Sequence, residues 1–327
     1  MDLTRAELDF VCGRLFPGLV VKHDTAVLGG VEYVAVDCGE RSLDDVQVAV
    51  LSNLSSLHAL FAREGDCLVP VTVARRAEQD DDITTIQRYV GKTNETFTRL
   101  LVNVTLAAGA RSFHRLLAGD RLRLLDPLCG RGTSLHQAVV YGLDAHGIEI
   151  DRRDVEAYDQ FVVTWLKDKR IKHQVERAKL RKGRTTPAIR LTIAYGPPGD
   201  ERHRIEVVND DTLNAADHVR ERSIDVLVAD LPYGVQHETR PGGDGRIARR
   251  PDELLRRALP VWRRLLRPGG AMGLAWNLRT LDRPRLFALL AGAGFRPCQA
   301  EDDDAFVHKV DRAITRDLVV ATPAPPR

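Results

Sequence analysis

The sequence predicts an α/β protein: a doubly wound, seven-stranded, mostly parallel sheet preceded by a small α+β module. Two observations carry this. Apolar runs of strand length alternate with helix-length segments over about 200 residues, the pattern of a parallel sheet with covering helices. The stretch LRLLDPLCGRGTSL, residues 122–135, ends one such run in Asp-Pro and turns through Gly130 and Gly132 into a helix. In open sheets of this kind ligands lie beyond the carboxyl ends of the strands, where the strand order reverses.

Taken in order, TRAELDFVCGRLF is expected to be a helix with Thr4 as its N-cap. GLVVKH, TAVLGGVEYVAVDC, VQVAVLS and CLVPVTVAR read as short β-runs, so residues 1–83 form the small module, a candidate RNA-binding unit. EQDDDIT reads as a solvated linker. Residues 84–327 form the larger domain. It opens with the helix TNETFTRLLVNVTLAAG, ending at Gly109. Strand LRLLD, helix SLHQAVVYG, strand AHGIEI and helix DVEAYDQFVVTWLKDK follow. A basic insert over 167–190 precedes strands RIEVVN and DVLVAD. Helix PDELLRRALPVWRRLL, strand AMGLAWN and helix RPRLFALLAGAG come next, and FVHKV with RDLVVAT close the chain as an antiparallel hairpin.

Composition excludes several classes. The chain has 327 residues, 43% hydrophobic and 29% charged, which suits a globular protein with a full core. No apolar run reaches the roughly 18 residues of a membrane span. The charged start, MDLTRAELDF, is unlike a secretory signal, so a cytoplasmic location is expected. Cysteines 12, 38, 67, 129 and 298 show no CxxC spacing; they are expected to be reduced core filler, with neither disulfides nor zinc. The histidines show no metal spacing, Ser134 lacks a GxSxG elbow, and Trp165, Trp262 and Trp276 fall at core positions.

The loop after Asp126 lacks both GxGxxG and a Gly-Lys-Ser/Thr phosphate grip. Gly130 and Gly132 allow a tight turn and close approach of the backbone to a ligand, and a helix opens at Thr133 with free N–H groups. The next strand ends in GIEID, where Glu149, with Asp151 its neighbour, can accept from both hydroxyls of a ribose. The third ends in NDDT, where Asp210 or Asp211 can accept from an adenine amine. A nucleoside without a pyrophosphate fits these parts, namely S-adenosylmethionine. The fourth strand runs into ADLPYG. An amine on a planar base is a poor nucleophile because its lone pair is delocalised. Asp230 and a backbone carbonyl fixed at Leu231–Pro232 can hold its two N–H groups and favour tetrahedral nitrogen, while Tyr233 stacks on the ring. A plain turn after a buried strand is the competing account.

These motifs resemble the class I methyltransferases. Within them they resemble the RNA guanine-N2 methyltransferases that often carry a THUMP domain, the family of the tRNA guanosine-10 enzyme. The matches are DPLCGRGTSLHQA, GIEID, NDDT, ADLPYG and the helix FTRLLVNVTLAAG. The resemblance implies that Asp126, Gly130, Gly132 and Thr133 shape the methionine pocket, Glu149 holds the ribose, and Asp210 or Asp211 meets the adenine. It implies that Asp230, Leu231, Pro232 and Tyr233 clamp the acceptor base, with Thr93 and Asn94 closing over the cofactor. Residues 1–83 show no convincing THUMP module.

Net charge is only +2, but residues 167–184 hold nine Lys or Arg against two acids. Acids concentrate around 79–82 and 301–304. The basic segment favours contact with RNA phosphates through Lys169, Arg170, Lys172, Arg181 and Lys182, joined by Arg249 and Arg250 of the loop after the clamp. The expected function is methylation of the guanine exocyclic amine in structured RNA, with tRNA foremost. A DNA adenine or cytosine amino-methyltransferase shares the clamp, and a non-catalytic RNA-binding protein of this fold is the third alternative.

Overall fold

The computed structural model describes residues 3–39, 41–180, 188–197, 199, 202–232, 251–299 and 303–325. Helix α1 (Leu3–Leu15) includes Thr4 in its first turn rather than at its cap, and the Thr4 hydroxyl accepts from Ser56 at 2.9 Å. Strands β1 (Lys22–Leu28) and β2 (Val31–Asp37) form a hairpin turned at Gly29 and Gly30. Both glycines have positive φ, +57° and +82°, as a tight turn matched to strand twist requires.

The run VQVAVLS is not a strand but helix α2 (Asp45–Ser52). Its β-branched residues favour a strand, but Asp44 and Gln47 form a reciprocal capping box: Asp44 accepts the Gln47 N–H at 2.8 Å and Gln47 the Asp44 N–H at 3.0 Å. Val50 and Leu51 are buried while Val46 is exposed, a helical pattern of burial. Strands β3 (Leu60–Glu64) and β4 (Cys67–Val71) form a second hairpin.

The expected linker is strapped down. Glu78 donates its N–H to the Val140 carbonyl at 2.7 Å, and Asp80 and Asp82 pair with Lys169 at 2.6 and 2.5 Å. Ile83, fully buried, opens the short helix α3 (Ile83–Ile86).

Helix α4 (Glu95–Ala108) is capped by Asn94, whose side chain accepts the Phe97 N–H at 3.1 Å. It is buried on nearly every side, between α1 and the sheet. Asn103 donates to Glu7 at 2.7 Å and to the Asn53 carbonyl at 2.8 Å, and accepts from the Tyr141 hydroxyl at 2.7 Å. Apolar residues of α1 and α2 belong to one hydrophobic cluster with α4 and the sheet, so these two helices share a core with the larger domain.

After α5 (Ser112–Leu117) the alternation begins: β5 (Arg123–Asp126), α6 (Thr133–Tyr141), β6 (Asp144–Glu149) and α7 (Arg152–Asp168). The basic insert forms β7 (His173–Leu180) and β8 (Ala188–Tyr195), followed by β9 (His203–Asn209). A short 3-10 turn, Thr212–Asp217, leads to β10 (Ile224–Asp230). Helix α8 (Pro251–Leu265), β11 (Leu266–Asn277), α9 (Arg283–Gly292) and β12 (Phe295–Pro297) follow, then β13 (His308–Lys309) and β14 (Thr315–Pro323).

The sheet order is β12-β14-β11-β10-β5-β6-β9-β8-β7, with β13 on β14. Strands β9, β6, β5, β10 and β11 are parallel; β14 is antiparallel to β11. Strands β5, β6, β9, β10, β11, β12 and β14, numbered among themselves, lie 6-7-5-4-1-2-3, the order of the class I methyltransferase fold; β12 takes the sixth place, which the sequence assigned to FVHKV, and FVHKV supplies β13 instead. The sheet has ten strands because the insert adds an antiparallel hairpin to the open edge of β9, and β13 adds a short pairing at the other side. Trp165, Trp262 and Trp276 are buried, as expected, but only Cys12 and Cys129 among the cysteines are; Cys67 is exposed on β4. No helix among the described residues is long and apolar enough to cross a membrane.

Candidate active site at the strand ends

The chain reverses direction across the sheet between β5 and β10, and four acids stand there at the carboxyl ends of adjacent strands. In spatial order they are Asp210 after β9, Glu149 on β6, Asp126 on β5 and Asp230 on β10. Adjacent strands lie about 4.8 Å apart, so this rank of carboxylates spans roughly 15 Å.

Asp126 is buried. It accepts from the Ser134 hydroxyl and from the Leu128 N–H, the latter at 2.9 Å, and makes no ion pair among the described residues. Burial, reinforced by the negative charges of Asp230 and Glu149, pushes its carboxyl up to about 7. Glu149 ties the loop to the neighbouring strand: one oxygen accepts the Gly130 N–H at 2.8 Å, the other the Asp151 N–H at 2.7 Å. Its pKa too is raised by burial. Asp151 caps α7 by accepting the Arg153 N–H at 2.8 Å.

The two loop glycines have different reasons. Gly130, at φ +50°, faces open space. Gly132, at φ +82°, faces the protein: a Cβ there would lie 2.2 Å from the Tyr158 ring on α7. Expected to leave room for a ligand, Gly132 instead leaves room for an aromatic ring. Thr133 is buried and its hydroxyl meets that of Tyr89 at 3.2 Å.

Asp210 is engaged locally. One oxygen accepts from the Asp211 N–H at 2.7 Å and the Asn214 side chain at 3.0 Å; the other meets His218 Nε2 at 2.6 Å. Asp211 caps the 3-10 turn, accepting the Leu213 N–H at 3.0 Å.

Asp230 accepts from the Thr93 hydroxyl at 2.6 Å, and Arg316 Nη2 lies 4.0 Å from the same oxygen. The Arg316 guanidinium, on β14, rests 4.4 Å above the Phe97 ring. Leu231 is buried and its N–H donates to the Ala275 carbonyl at 2.9 Å; Pro232 is exposed. Tyr233 lies outside the described residues, as do Arg181, Lys182, Arg249 and Arg250.

Residues 87–94 cross the top of the site. Tyr89 lies 4.8 Å from the Arg131 guanidinium, and Thr93 reaches Asp230. The sequence points to Thr93 and Asn94; Thr93 reaches Asp230 and Asn94 caps α4. Tyr89 and Arg316 escape sequence reasoning; an arginine opening the apolar strand RDLVVAT is the one cue to the latter. Lys169 is held by two aspartates and lies near the Trp165 ring, whereas Arg170 and Lys172 are exposed. Among the described residues, no three His, Cys, Asp or Glu side chains are grouped to hold a metal.

The donor set fits S-adenosylmethionine. A buried carboxyl without an ion pair invites a positive charge, Gly130 borders open space, and each Glu149 oxygen retains a lone pair for a ribose hydroxyl.

Strand order and strand-end acids together define the class I methyltransferase architecture. Solved structures similar to this chain include TrmN from Thermus thermophilus, at 15% identity and a TM-score of 0.42, covering 74% of this chain and 52% of TrmN. An rRNA methylase from Streptococcus thermophilus matches at 14% identity and a TM-score of 0.36, over 65% of this chain and 94% of its own. A geranyl diphosphate methyltransferase in complex with GPP and sinefungin matches at 12% identity and a TM-score of 0.35, over 62% of this chain and 71% of its own. This chain thus spans about half the length of TrmN. No family model matches the sequence, and no curated protein does.

Proposed function

We propose that the chain is an S-adenosylmethionine-dependent methyltransferase acting on the exocyclic amine of guanine in structured RNA, with tRNA as the substrate. One observation carries the proposal: Asp126, buried without an ion pair, and Asp230, with a hydroxyl donor, end adjacent strands at the point where the chain reverses. A site for a cation and a site for an amine therefore stand side by side.

S-adenosylmethionine supplies a methyl group on a positively charged sulfur. Asp126 and the loop through Gly130 and Thr133 take its methionine end, and Glu149 accepts from its ribose hydroxyls. Asp210 already accepts from Asn214 and His218, so it lines the adenine end through the geometry it imposes on the 209–214 turn. Asp230 accepts one N–H of the guanine amine in place of the Thr93 hydroxyl, and the Leu231 carbonyl, restrained by Pro232, accepts the other. Tyr233 stacks on the base. The work is alignment, which removes orientational entropy before transfer. Asp230 takes the proton once nitrogen carries positive charge, so its carboxyl need not be a strong base. Arg316 complements the charge of Asp230 between turnovers. Arg170 and Lys172, with Arg181, Lys182, Arg249 and Arg250, meet phosphates, and residues 1–83 add an RNA-contact unit. Lys169 serves the strap instead.

Replacing Asp230 by Ala is expected to lower methyl transfer at least 100-fold while leaving cofactor affinity within about twofold, read by tritium transfer and by calorimetry. Transfer to genomic DNA but not to total RNA would refute the RNA assignment. Nucleoside mass spectrometry of the RNA product identifies the methylated atom; any product other than N2-methylguanosine would refute the guanine assignment.

A further inference from the structure

A second concentration of charge lies at the amino ends of the same strands. Asp225, next to the start of β10, is buried and saturated. Its Oδ1 meets Arg115 at 2.7 Å and Arg267 at 2.5 Å, and its Oδ2 accepts the Arg123 N–H at 3.0 Å. Beside it opens a recess of about 390 Å³ lined by Arg121, Arg123, Arg220, Arg222 and Arg267. Arg121 is committed to Asp144, at 2.9 and 3.0 Å. The side chains of Arg123, Arg220 and Arg222 are exposed and make no ion pair or hydrogen bond among the described residues.

The lining thus holds five arginines and one carboxylate, Asp225. Anchoring Asp225 accounts for Arg267, and Asp144 for Arg121; neither accounts for the other three. Like charges gathered at this density repel, so an anion is the missing complement. Arg222 has φ +53°, a left-handed backbone that is uncommon outside glycine, and its N–H is fixed to the Arg264 carbonyl at 2.9 Å. Every lining side chain is charged or hydroxylated, so nothing there would grip a base or a hydrocarbon. Affinity must come from phosphate oxygens, which the guanidinium fork matches in pairs. A single phosphate cannot occupy three separate forks; a chain of phosphates can.

We propose that this recess is a phosphate site that takes the sugar–phosphate backbone of the nucleic-acid substrate, a second foothold at the far end of the strands. It rests on the substrate being a nucleic acid, and not on which base is methylated. Six residue steps along β10 separate Ile224 from Asp230, about 20 Å. At about 3.4 Å per nucleotide, a substrate reaching both places needs more than about six nucleotides.

The test uses the full chain and a fluorescently labelled tRNA transcript, with binding measured by anisotropy between 50 and about 200 mM salt, where phosphate contacts dominate affinity. The variant Arg123→Ala/Arg220→Ala/Arg222→Ala is expected to weaken binding at least tenfold at low salt and to flatten the slope of log affinity against log salt by about two. The Lys set at the same positions is expected to restore most of the slope and serves as the control for folding. In turnover, the Ala set is expected to raise KM for RNA and leave kcat unchanged. An unchanged slope in the Ala set overturns the proposal, as does wild-type protein that fails to bind the transcript at low salt. Inorganic pyrophosphate displacing the transcript at equal concentration overturns it in favour of a small-anion site. Calorimetry with S-adenosylmethionine, run on the same proteins, is unaffected by the Ala set; loss of cofactor binding in wild type would refute methyl transfer while leaving the RNA arm to decide the recess.

Discussion

Asp126 carries a pH signature near neutrality. Burial raises its carboxyl to about 7, so it is largely protonated below that pH in the free protein. The sign is that of a raised acid: its contribution to folding is present at low pH and is lost as pH rises through about 7. A cation bound beside it reverses the preference and drives ionisation. Affinity for S-adenosylmethionine is therefore expected to fall by up to about tenfold from pH 7 to pH 6, with proton release visible as a buffer-dependent calorimetric enthalpy near pH 7. Asp126→Asn should remove both effects; a pH-independent affinity in the wild type would refute the assignment. Glu7 is a second buried acid, raised by burial, and it accepts from Ser55 and Asn103. Its replacement by Ala orphans buried donors and is expected to cost on the order of 3 kcal/mol in urea denaturation. Asp126 could be found from sequence because strand, Pro and glycines surround it. Glu7 could not, since an acid in an amphipathic helix reads as solvated until its partners 48 and 96 residues away are known.

At the scale of the element, the loop between β5 and α6 separates two kinds of glycine. Gly130→Ala meets open space and only left-handed strain, so it is expected to cost about 1–2 kcal/mol in stability while weakening cofactor binding. Gly132→Ala adds a collision with the Tyr158 ring and is expected to cost about 3–5 kcal/mol, measured by thermal unfolding. The GxG spacing was legible; the division of labour within it was not, because Tyr158 arrives from the next helix. Helix α2 shows the converse. Its valines pointed to a strand, while the signal that prevailed, Asp44 with Gln47, was present in the sequence as a capping pair. Asp44→Ala is expected to cost about 1 kcal/mol, read by denaturant midpoint.

For the whole molecule, strand–helix alternation conveyed the parallel sheet because strands such as β10 and β14 are near-continuous apolar runs and helices such as α7 and α8 are amphipathic. The hairpin β7–β8 was hidden by its charge: alternate residues face solvent at a sheet edge, and lysines there read as an insert. Because α1 and α2 share a hydrophobic cluster with α4 and the sheet, the chain is expected to unfold in one cooperative step, with calorimetric and van't Hoff enthalpies in agreement. Two resolved transitions would refute this. The buried Glu7–Asn103–Tyr141 network has a further consequence. Helix α4 is gripped at its middle by Glu7 of the first helix, and it begins two residues after the threonine whose hydroxyl touches Asp230. Loosening the first helix would let that threonine drift, so a lesion placed far from any reacting atom would masquerade as chemical failure in an activity screen.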